Sequence, residues 1–280
     1  MKEVPVVRPS PIAGSWYPGS KDALHTTIRQ YLENAAIPAI DGKVFGLIAP
    51  HAGYIYSGST AGYAYHCVQG ESYDICAVFS PLHDYQPFGF LTTLHTAYNT
   101  PLGDVPVASS LVNAIDEDMQ THSDLFLQRI GLDREHSLEI QLPFLQVALK
   151  DSFELVPIMV RTHHSGTLQN AAKSIARVLT GKRVLIIAST DLSHFYTQRE
   201  ANQFDGVMTS HFTSIDPQGV LDAEANQQGF ACGAGAVALA LWTTQLLGAK
   251  HVTLLHHTTS AEASGDTSSV VGYAAAAITG

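Results

Sequence analysis

The chain has 280 residues, 45% hydrophobic and 14% charged, so it carries enough apolar surface for a sizeable core and is not a disordered chain. Its net charge of -10 and the lack of any basic run make nucleic acid and anionic membranes poor partners. The three scattered cysteines are too few for a disulfide framework, and the sequence has neither a signal-peptide core nor an apolar stretch of membrane-spanning length, which predicts a cytoplasmic protein.

The predicted elements alternate between helix and strand along the chain. After an extended arm over residues 1–19, we predict helices at 20–34, 58–68, 109–119, 137–149, 167–179, 199–213, 217–227 and 234–247. We predict strands at 44–49, 74–79, 90–95, 153–160, 183–189, 252–258 and 269–278. No segment has the composition of a linker. The sequence therefore predicts a single-domain α/β sandwich over residues 1–280, with a mixed, mostly parallel central sheet covered by helices on both faces.

Polar side chains directly follow the three most apolar strands. His51 stands in "APHAGY", His83 in "SPLHDY", and Asp191 and His194 in "STDLSH". In open α/β sheets, ligands gather at the carboxyl ends of central strands, so these side chains converge if the three strands are neighbours. The alternative is that each histidine is simply a polar residue at a strand end.

Loops rich in imidazole and carboxylate at one sheet edge suggest a metal site, because neutral histidine nitrogens are common metal ligands. Cys232, in "GFACGAGAVAL", precedes a predicted helix start, where backbone N–H groups favour a thiolate, and it offers an anionic ligand. Taken alone, Cys232 is also compatible with a core position. Cys67 and Cys76 fall inside predicted elements and are interpreted as small buried hydrophobic residues.

The segment "DREHSLEIQLPFLQ" places His136 and Glu139 three residues apart. On a helix this spacing puts both side chains on one face, where they could line a site. The alternative for Glu139 is a capping contact at the helix start. Pro143 is expected near the start of that helix or at a kink.

Seven motifs stand in an order that resembles the Memo-like family, whose microbial members are called AmmeMemoRadiSam system protein B. They are "AGSWYP", "APHAGYIYSG", "SPLHDY", "EHSLEIQLPFL", "STDLSH", "CGAGAV" and "SSVVGYAAAAI". The resemblance runs from about Arg8 to the C-terminus. It implies a fold similar to LigB-type class III extradiol dioxygenases, which bind Fe(II) through two histidines and a glutamate and open catechol rings with dioxygen.

The resemblance also implies roles for individual residues. It makes His51, His83 and Cys232 the metal ligands and His194 the acid–base residue, with Asp191 lining the same pocket. A thiolate in place of the dioxygenases' carboxylate makes copper and zinc competitive with Fe(II), which stays the first expectation. Asp84 stands where some family members carry a second histidine. A radical-SAM protein and a small partner domain are implied as partners by the family name alone.

Three functions are compatible with these residues. The preferred one is a mononuclear non-haem iron, dioxygenase-like oxidoreductase acting on a catechol-like diol, with His194, Asp191 and His136 as candidate catalytic residues. The second is a metal-independent nucleophilic enzyme built on Cys232, His194 and Asp191. The third is a non-catalytic metal-binding or adaptor protein.

Overall fold

The computed structural model describes residues 5–280, so the first four residues of the predicted arm lie outside the described part of the chain. The helices are α1 Lys21–Asn34, α2 Tyr54–His66, α3 Ser109–Ser123, α4 Leu142–Ala148, α5 Ser165–Leu179, α6 Gln198–Thr213, α7 Pro217–Ala225, α8 Ala234–Leu246 and α9 Ala261–Ser264. The strands are β1 Val7–Arg8, β2 Val44–Ala49, β3 Ile75–Pro81, β4 Phe90–Thr93, β5 Ala97–Thr100, β6 Gly103–Pro106, β7 Gln128–Ile130, β8 Glu154–Val160, β9 Val184–Ser189, β10 His194–Tyr196, β11 His251–Thr259 and β12 Val270–Thr279. Among residues 5–280, no helix combines the length and apolar character that crossing a bilayer requires.

The large sheet has the strand order β10-β12-β2-β9-β3-β8-β4-β7, with β11 paired to β12. Its four central strands, β2, β9, β3 and β8, are parallel, whereas β12 and β4 join this group antiparallel. Strands β3 and β9 are buried along their whole length, as expected for continuous apolar runs covered on both faces. Because β9 lies between β2 and β3, the loops that follow all three strands meet at one sheet edge.

Helices cover both faces of this sheet. Helix α2 packs on β2 and β12 and is joined by α1 and α4, while α8 packs on β2, β9 and β3 and is joined by α5 and α7. Both α2 and α8 touch β2 without packing on each other, so they lie on opposite faces. One continuous hydrophobic core extends through the layers. The predicted single-domain α/β sandwich is confirmed.

Two element predictions fail near the candidate site. The helix predicted at 137–149 is a loop followed by a 3₁₀ turn, Glu139–Gln141, and by the short helix α4. Pro143 lies in the first turn of α4. Backbone N–H groups in the first turn have no hydrogen-bond partner within the helix, so proline is tolerated there. Helix α2 begins at Tyr54, four residues earlier than predicted, so its first turn reaches the edge where the strand loops meet.

The small sheet β1-β5-β6 was not predicted. Its strands have two to four residues each, too short to show an alternating apolar pattern. In it Val7 of the N-terminal arm pairs parallel with Ala97. This pairing fixes the arm beside the core, although the sequence predicted only an extended segment there.

Candidate metal centre

Three histidines from three different loops converge at the carboxyl edge of the sheet. His51 follows β2, His83 follows β3, and His136 lies in the loop before the 3₁₀ turn. One ring nitrogen from each lies within 4.8 Å of those of the other two. The ring centroids of His83 and His136 are 4.7 Å apart, and each is 5.5 Å from that of His51. Nitrogen atoms at this spacing can share one metal ion.

Hydrogen bonds fix the tautomer of His51. The Ser189 hydroxyl lies 2.6 Å from the Ser137 carbonyl oxygen, which can only accept, so the hydroxyl donates its single hydrogen there. Its lone pairs then accept from Gln141 Nε2 at 2.8 Å and from His51 Nδ1 at 3.0 Å. His51 therefore carries its hydrogen on Nδ1, and the lone pair of Nε2 faces the Cys232 thiol at 3.1 Å.

The Gln141 side chain is itself held on both sides. Its Nε2 also donates to the Pro50 carbonyl oxygen at 2.9 Å, and its Oε1 accepts from the Tyr65 hydroxyl at 2.8 Å. All of these groups are buried. The chain of bonds from Tyr65 through Gln141 and Ser189 thus sets the orientation of the His51 ring, as partners of metal-binding histidines commonly do.

Glu135 sets the orientation of the His83 ring. Its carboxylate accepts from His83 Nδ1 at 3.0 Å and from the backbone N–H groups of His83, His136 and Ser137 at 2.6–2.9 Å. Burial alone would raise the pKa of Glu135, but these donors hold the pKa well below its usual range. The hydrogen bond that His83 donates to Glu135 in turn raises the pKa of His83. His83 Nδ1–H is committed to the carboxylate, which leaves Nε2 free to bind a metal.

His51 and His136 are neutral at pH 7. Burial lowers the pKa of His51 to about 3, assisted by the nearby His83, and burial lowers the pKa of His136 to about 4, assisted by His51. The His136 ring packs on Trp16 of the N-terminal arm, with the ring centroids 4.1 Å apart. Neutral imidazole is the form that ligates a metal, so neither histidine has to lose a proton before a metal ion binds.

Cys232 lies beside His51 but outside the three-histidine cluster. Its Sγ is 3.1 Å from His51 Nε2 and accepts from the Asp191 N–H at 3.3 Å. The expectation that the start of α8 would favour a thiolate is not met: burial and the Asp191 charge raise the pKa of the thiol well above its usual range. The backbone N–H of Gly233 donates instead to Thr190 Oγ1, at 3.0 Å. That Cys232 ligates a metal stays a prediction.

The other two cysteines lie away from this edge. Cys76 is fully buried within β3, and Cys67 is half-buried at the end of α2. Burial raises the pKa of both thiols above the usual value, so neither has thiolate character. Both fit the interpretation as small hydrophobic residues.

Asp191 and His194 do not form the contacts that a catalytic triad requires. Asp191 accepts from the His51 N–H at 2.7 Å, and burial raises the pKa of its carboxyl to about 6. His194 Nδ1 donates instead to the Leu192 carbonyl oxygen at 2.7 Å. Asp191 therefore orients the loop that carries His51, not His194 as predicted. Since Cys232 contacts His51 as well, the three side chains of the metal-independent hypothesis are not arranged as nucleophile, base and orienting acid.

A cavity of about 460 Å³ opens over the histidine cluster. Its polar side is formed by His51, His83, His136, Asp191 and His194. We call the apolar and aromatic side chains of the lining the apolar wall: Trp16, Ile55, Tyr56, Val271 and Tyr273. Because His194 Nδ1–H is committed to a carbonyl oxygen, Nε2 is the ring nitrogen left to accept a hydrogen bond at this cavity.

Comparison with known proteins identifies the family. Residues 8–277 match the model of the family described as Memo-like protein. The chain belongs to the Memo-like protein family. Its relatives include MEMO1 family proteins of Nitrosopumilus maritimus (30% identical, 96% of this chain and 98% of the relative), Methanosarcina acetivorans (32%, 96% and 98%) and Archaeoglobus fulgidus (33%, 94% and 96%).

In this Memo-like protein, Glu139 neither caps a helix nor lines the cavity, so neither interpretation of it was right. Its buried carboxylate accepts from Arg8 at 2.6 Å, Ser10 at 2.5 Å and Tyr17 at 2.7 Å. Arg8 also pairs with Asp133 at 2.7 Å. These bonds tie the N-terminal arm, with Trp16, to the loop that carries Glu135 and His136.

Sequence reasoning missed Glu135, although it directly precedes His136 in "DREHS". An acidic residue next to a candidate ligand is a weak signal, because exposed acids are common in loops. Asp84, which sequence reasoning did single out, is exposed. Its backbone carbonyl accepts from Arg161.

Proposed function

We propose that this Memo-like protein is a metal-dependent, dioxygenase-like oxidoreductase that holds one transition-metal ion, with Fe(II) as the first candidate, and acts on a small diol. In this proposal His51 and His83 bind the metal whichever side chain provides the third ligand. The observation that supports it best is that buried acceptors fix Nδ1–H of both rings, so each presents Nε2 as a lone pair. Cu and Zn are the alternative metals.

Two side chains compete for the third ligand position. His136 belongs to the cluster whose ligand atoms lie within 4.8 Å. Cys232 is the ligand that the family resemblance implies, and its sulfur lies 3.1 Å from His51 Nε2. In a tetrahedral site, a sulfur and a nitrogen bound to the same ion lie about 3.5 Å apart, given metal–ligand bonds of about 2.3 and 2.0 Å. The spacing of Cys232 and His51 is thus close to that of two ligands of one ion, but Cys232 would have to move toward His83 to complete the set, since it lies outside the cluster of mutually close ligand atoms. Its proton would leave as the metal binds.

A bound Fe or Cu ion would supply Lewis acidity and one-electron redox chemistry, whereas Zn would supply Lewis acidity alone. His194 Nε2, free at the cavity, would take a proton from a substrate hydroxyl and return it later. Asp191 would hold the His51 loop through the backbone N–H of His51. The buried surroundings of His51 and Asp191 would keep bulk water away from these two side chains.

Metal content tests the proposal directly. The wild-type protein should retain one equivalent of metal, identified by anomalous scattering at the absorption edges, whereas His51→Ala and His83→Ala should retain about a tenth or less. His122→Ala is the matched control, because His122 is exposed and paired with Asp118 on α3. Equal metal content in all four proteins would refute the site.

The visible absorption spectrum of the Co(II)-substituted protein shows which side chain is the third ligand. If Cys232 ligates, the Co(II)-loaded protein shows a sulfur-to-cobalt charge-transfer band that Cys232→Ser abolishes and His136→Ala leaves in place. If His136 ligates, that band is absent from the wild type, and His136→Ala alters the visible Co(II) spectrum.

Oxygen consumption with catechols under reconstitution with Fe(II) then separates an enzyme from a metal-binding protein. Turnover that is lost in His194→Gln, with metal content unchanged, supports the acid–base role. Full metal occupancy without turnover on any diol would favour the non-catalytic alternative.

A further inference from the structure

The cavity combines an acidic and imidazole-rich polar side with a wall of apolar side chains, and the two together restrict what it can bind. We propose, on the basis of the function above, that the cavity selects a neutral, flat apolar group. Ligands that carry a carboxylate or phosphate beyond their metal-binding end are rejected. Ile55, Tyr56 and Val271 of the apolar wall set this specificity.

No lysine or arginine lines the cavity within residues 5–280. The acidic side chain on this lining is Asp191, which is 4% exposed. Enzymes that take carboxylated or phosphorylated substrates use Arg or Lys to pair with the anion, because an unpaired buried charge is costly. The cavity offers no such partner to a second negative group.

Two arginines that contact the loops of the site, Arg161 and Arg8, are already engaged, and the exposed Arg134 in the loop before His136 is not among the cavity's lining residues. Arg161 donates to the carbonyl oxygens of Leu82 and Asp84 and lies over the Tyr85 ring at 5.2 Å. Arg8 is 2% exposed and is paired with two carboxylates. Neither can turn to an anion in the cavity without breaking these contacts.

The start of helix α2, which borders the cavity, is not a free anion site either. The backbone N–H of His51 donates to Asp191 at 2.7 Å, that of Tyr54 to the Trp16 carbonyl at 2.8 Å, and that of Tyr56 to the Gly53 carbonyl at 2.8 Å. The donors that a helix start would offer to an anion are thus largely used within the protein.

The apolar wall, in contrast, leaves surface uncovered. Ile55 is 75% exposed and Tyr56 46% exposed, both in the first turn of α2, while Tyr273 of the same wall is buried. Large apolar side chains that remain in water at the mouth of a cavity gain free energy when a ligand covers them. A neutral apolar group can cover this surface without requiring a counter-ion.

Two matched probes test the inference: 4-ethylcatechol, which is neutral, and 3-(3,4-dihydroxyphenyl)propanoate, which carries a carboxylate on the same ring. Calorimetric titration under argon, on the Zn-loaded protein and again on chelator-treated protein, should show the neutral probe binding about tenfold or more tightly. Equal affinities, a preference for the carboxylate, or no binding of either probe would overturn the inference.

The variant Ile55→Arg places a cation on the apolar wall and should reverse the preference or reduce it to about unity. Leu246→Arg, the same kind of change at an exposed apolar residue outside the cavity lining, should keep the wild-type ratio. An unchanged ratio in Ile55→Arg also counts against the inference. Metal content is measured on every sample, so a protein that binds no metal refutes the proposed function while the chelator-treated titration still decides the cavity's preference.

Discussion

At the scale of single residues, Glu135 organises the candidate site more than any residue that the sequence singled out. One buried carboxylate orients the His83 ring and fixes the backbone on which His136 lies. Replacing Glu135 by Gln removes the negative charge and replaces one acceptor by a donor. We expect metal affinity to fall about 10–100-fold, because mutation of residues that orient a metal ligand and raise its basicity typically lowers the affinity by that factor. Competition with a chromophoric chelator measures the affinity.

Asp84→Asn is the control for Glu135→Gln, since it removes an exposed acid next to His83. It should leave the affinity within about threefold of wild type, because an exposed charge is screened by solvent. If both variants lose affinity equally, general electrostatics and not orientation of His83 would explain the effect.

At the scale of elements, the N-terminal arm is held to the site loop by a buried ion cluster. Arg8 pairs with Glu139 and Asp133, and the side chains of all three are at most 6% exposed. Arg8→Ala should destabilise the protein by about 3–5 kcal/mol, since it leaves buried carboxylates without their counter-ion. Urea denaturation measures the change.

The exposed pair Arg29–Glu33 on α1 provides the comparison for Arg8, because both side chains are more than half exposed. Arg29→Ala should cost about 0.5 kcal/mol or less. A loss for Arg8→Ala as small as this would mean that the arm is not anchored by its charge cluster.

Helix α2 packs closely on α1 because glycine occupies the contact. A Cβ at Gly62 would lie 2.6 Å from the Tyr31 carbonyl oxygen, a backbone atom that cannot turn aside. Gly62→Ala should therefore destabilise by about 1–3 kcal/mol. At Gly206 in α6 a Cβ would meet nothing within 4 Å, so Gly206→Ala should stabilise by about 0.5–1 kcal/mol. Thermal unfolding of both variants tests the pair, and stabilisation by both would contradict the close contact.

At the scale of the whole molecule, the candidate ligands are distant in sequence, since Cys232 and His51 are 181 positions apart. The unfolded chain cannot hold them together, so a metal should bind the folded state selectively. A thousandfold excess over Kd should stabilise the protein by about 4 kcal/mol, raising Tm on the order of 10 °C. Scanning calorimetry with and without Zn(II) measures the shift, which should disappear in His51→Ala. The same shift in that variant would place the bound metal elsewhere.

The sequence by itself determined the α/β class, the central strands, the motifs of the family and the histidines at the strand ends. These features are local: an apolar run of six residues predicts a buried strand wherever that strand lies in the sheet. Tertiary structure alone decided that β9 lies between β2 and β3, which is what makes the loops of His51 and His83 neighbours. It also decided that the segment before α4 is a loop held by Glu135 and that Asp191 binds the backbone of His51 and not His194. Strand order and hydrogen-bond partners depend on contacts between residues far apart in the chain. The hydrophobic periodicity of a single segment carries no information about those contacts.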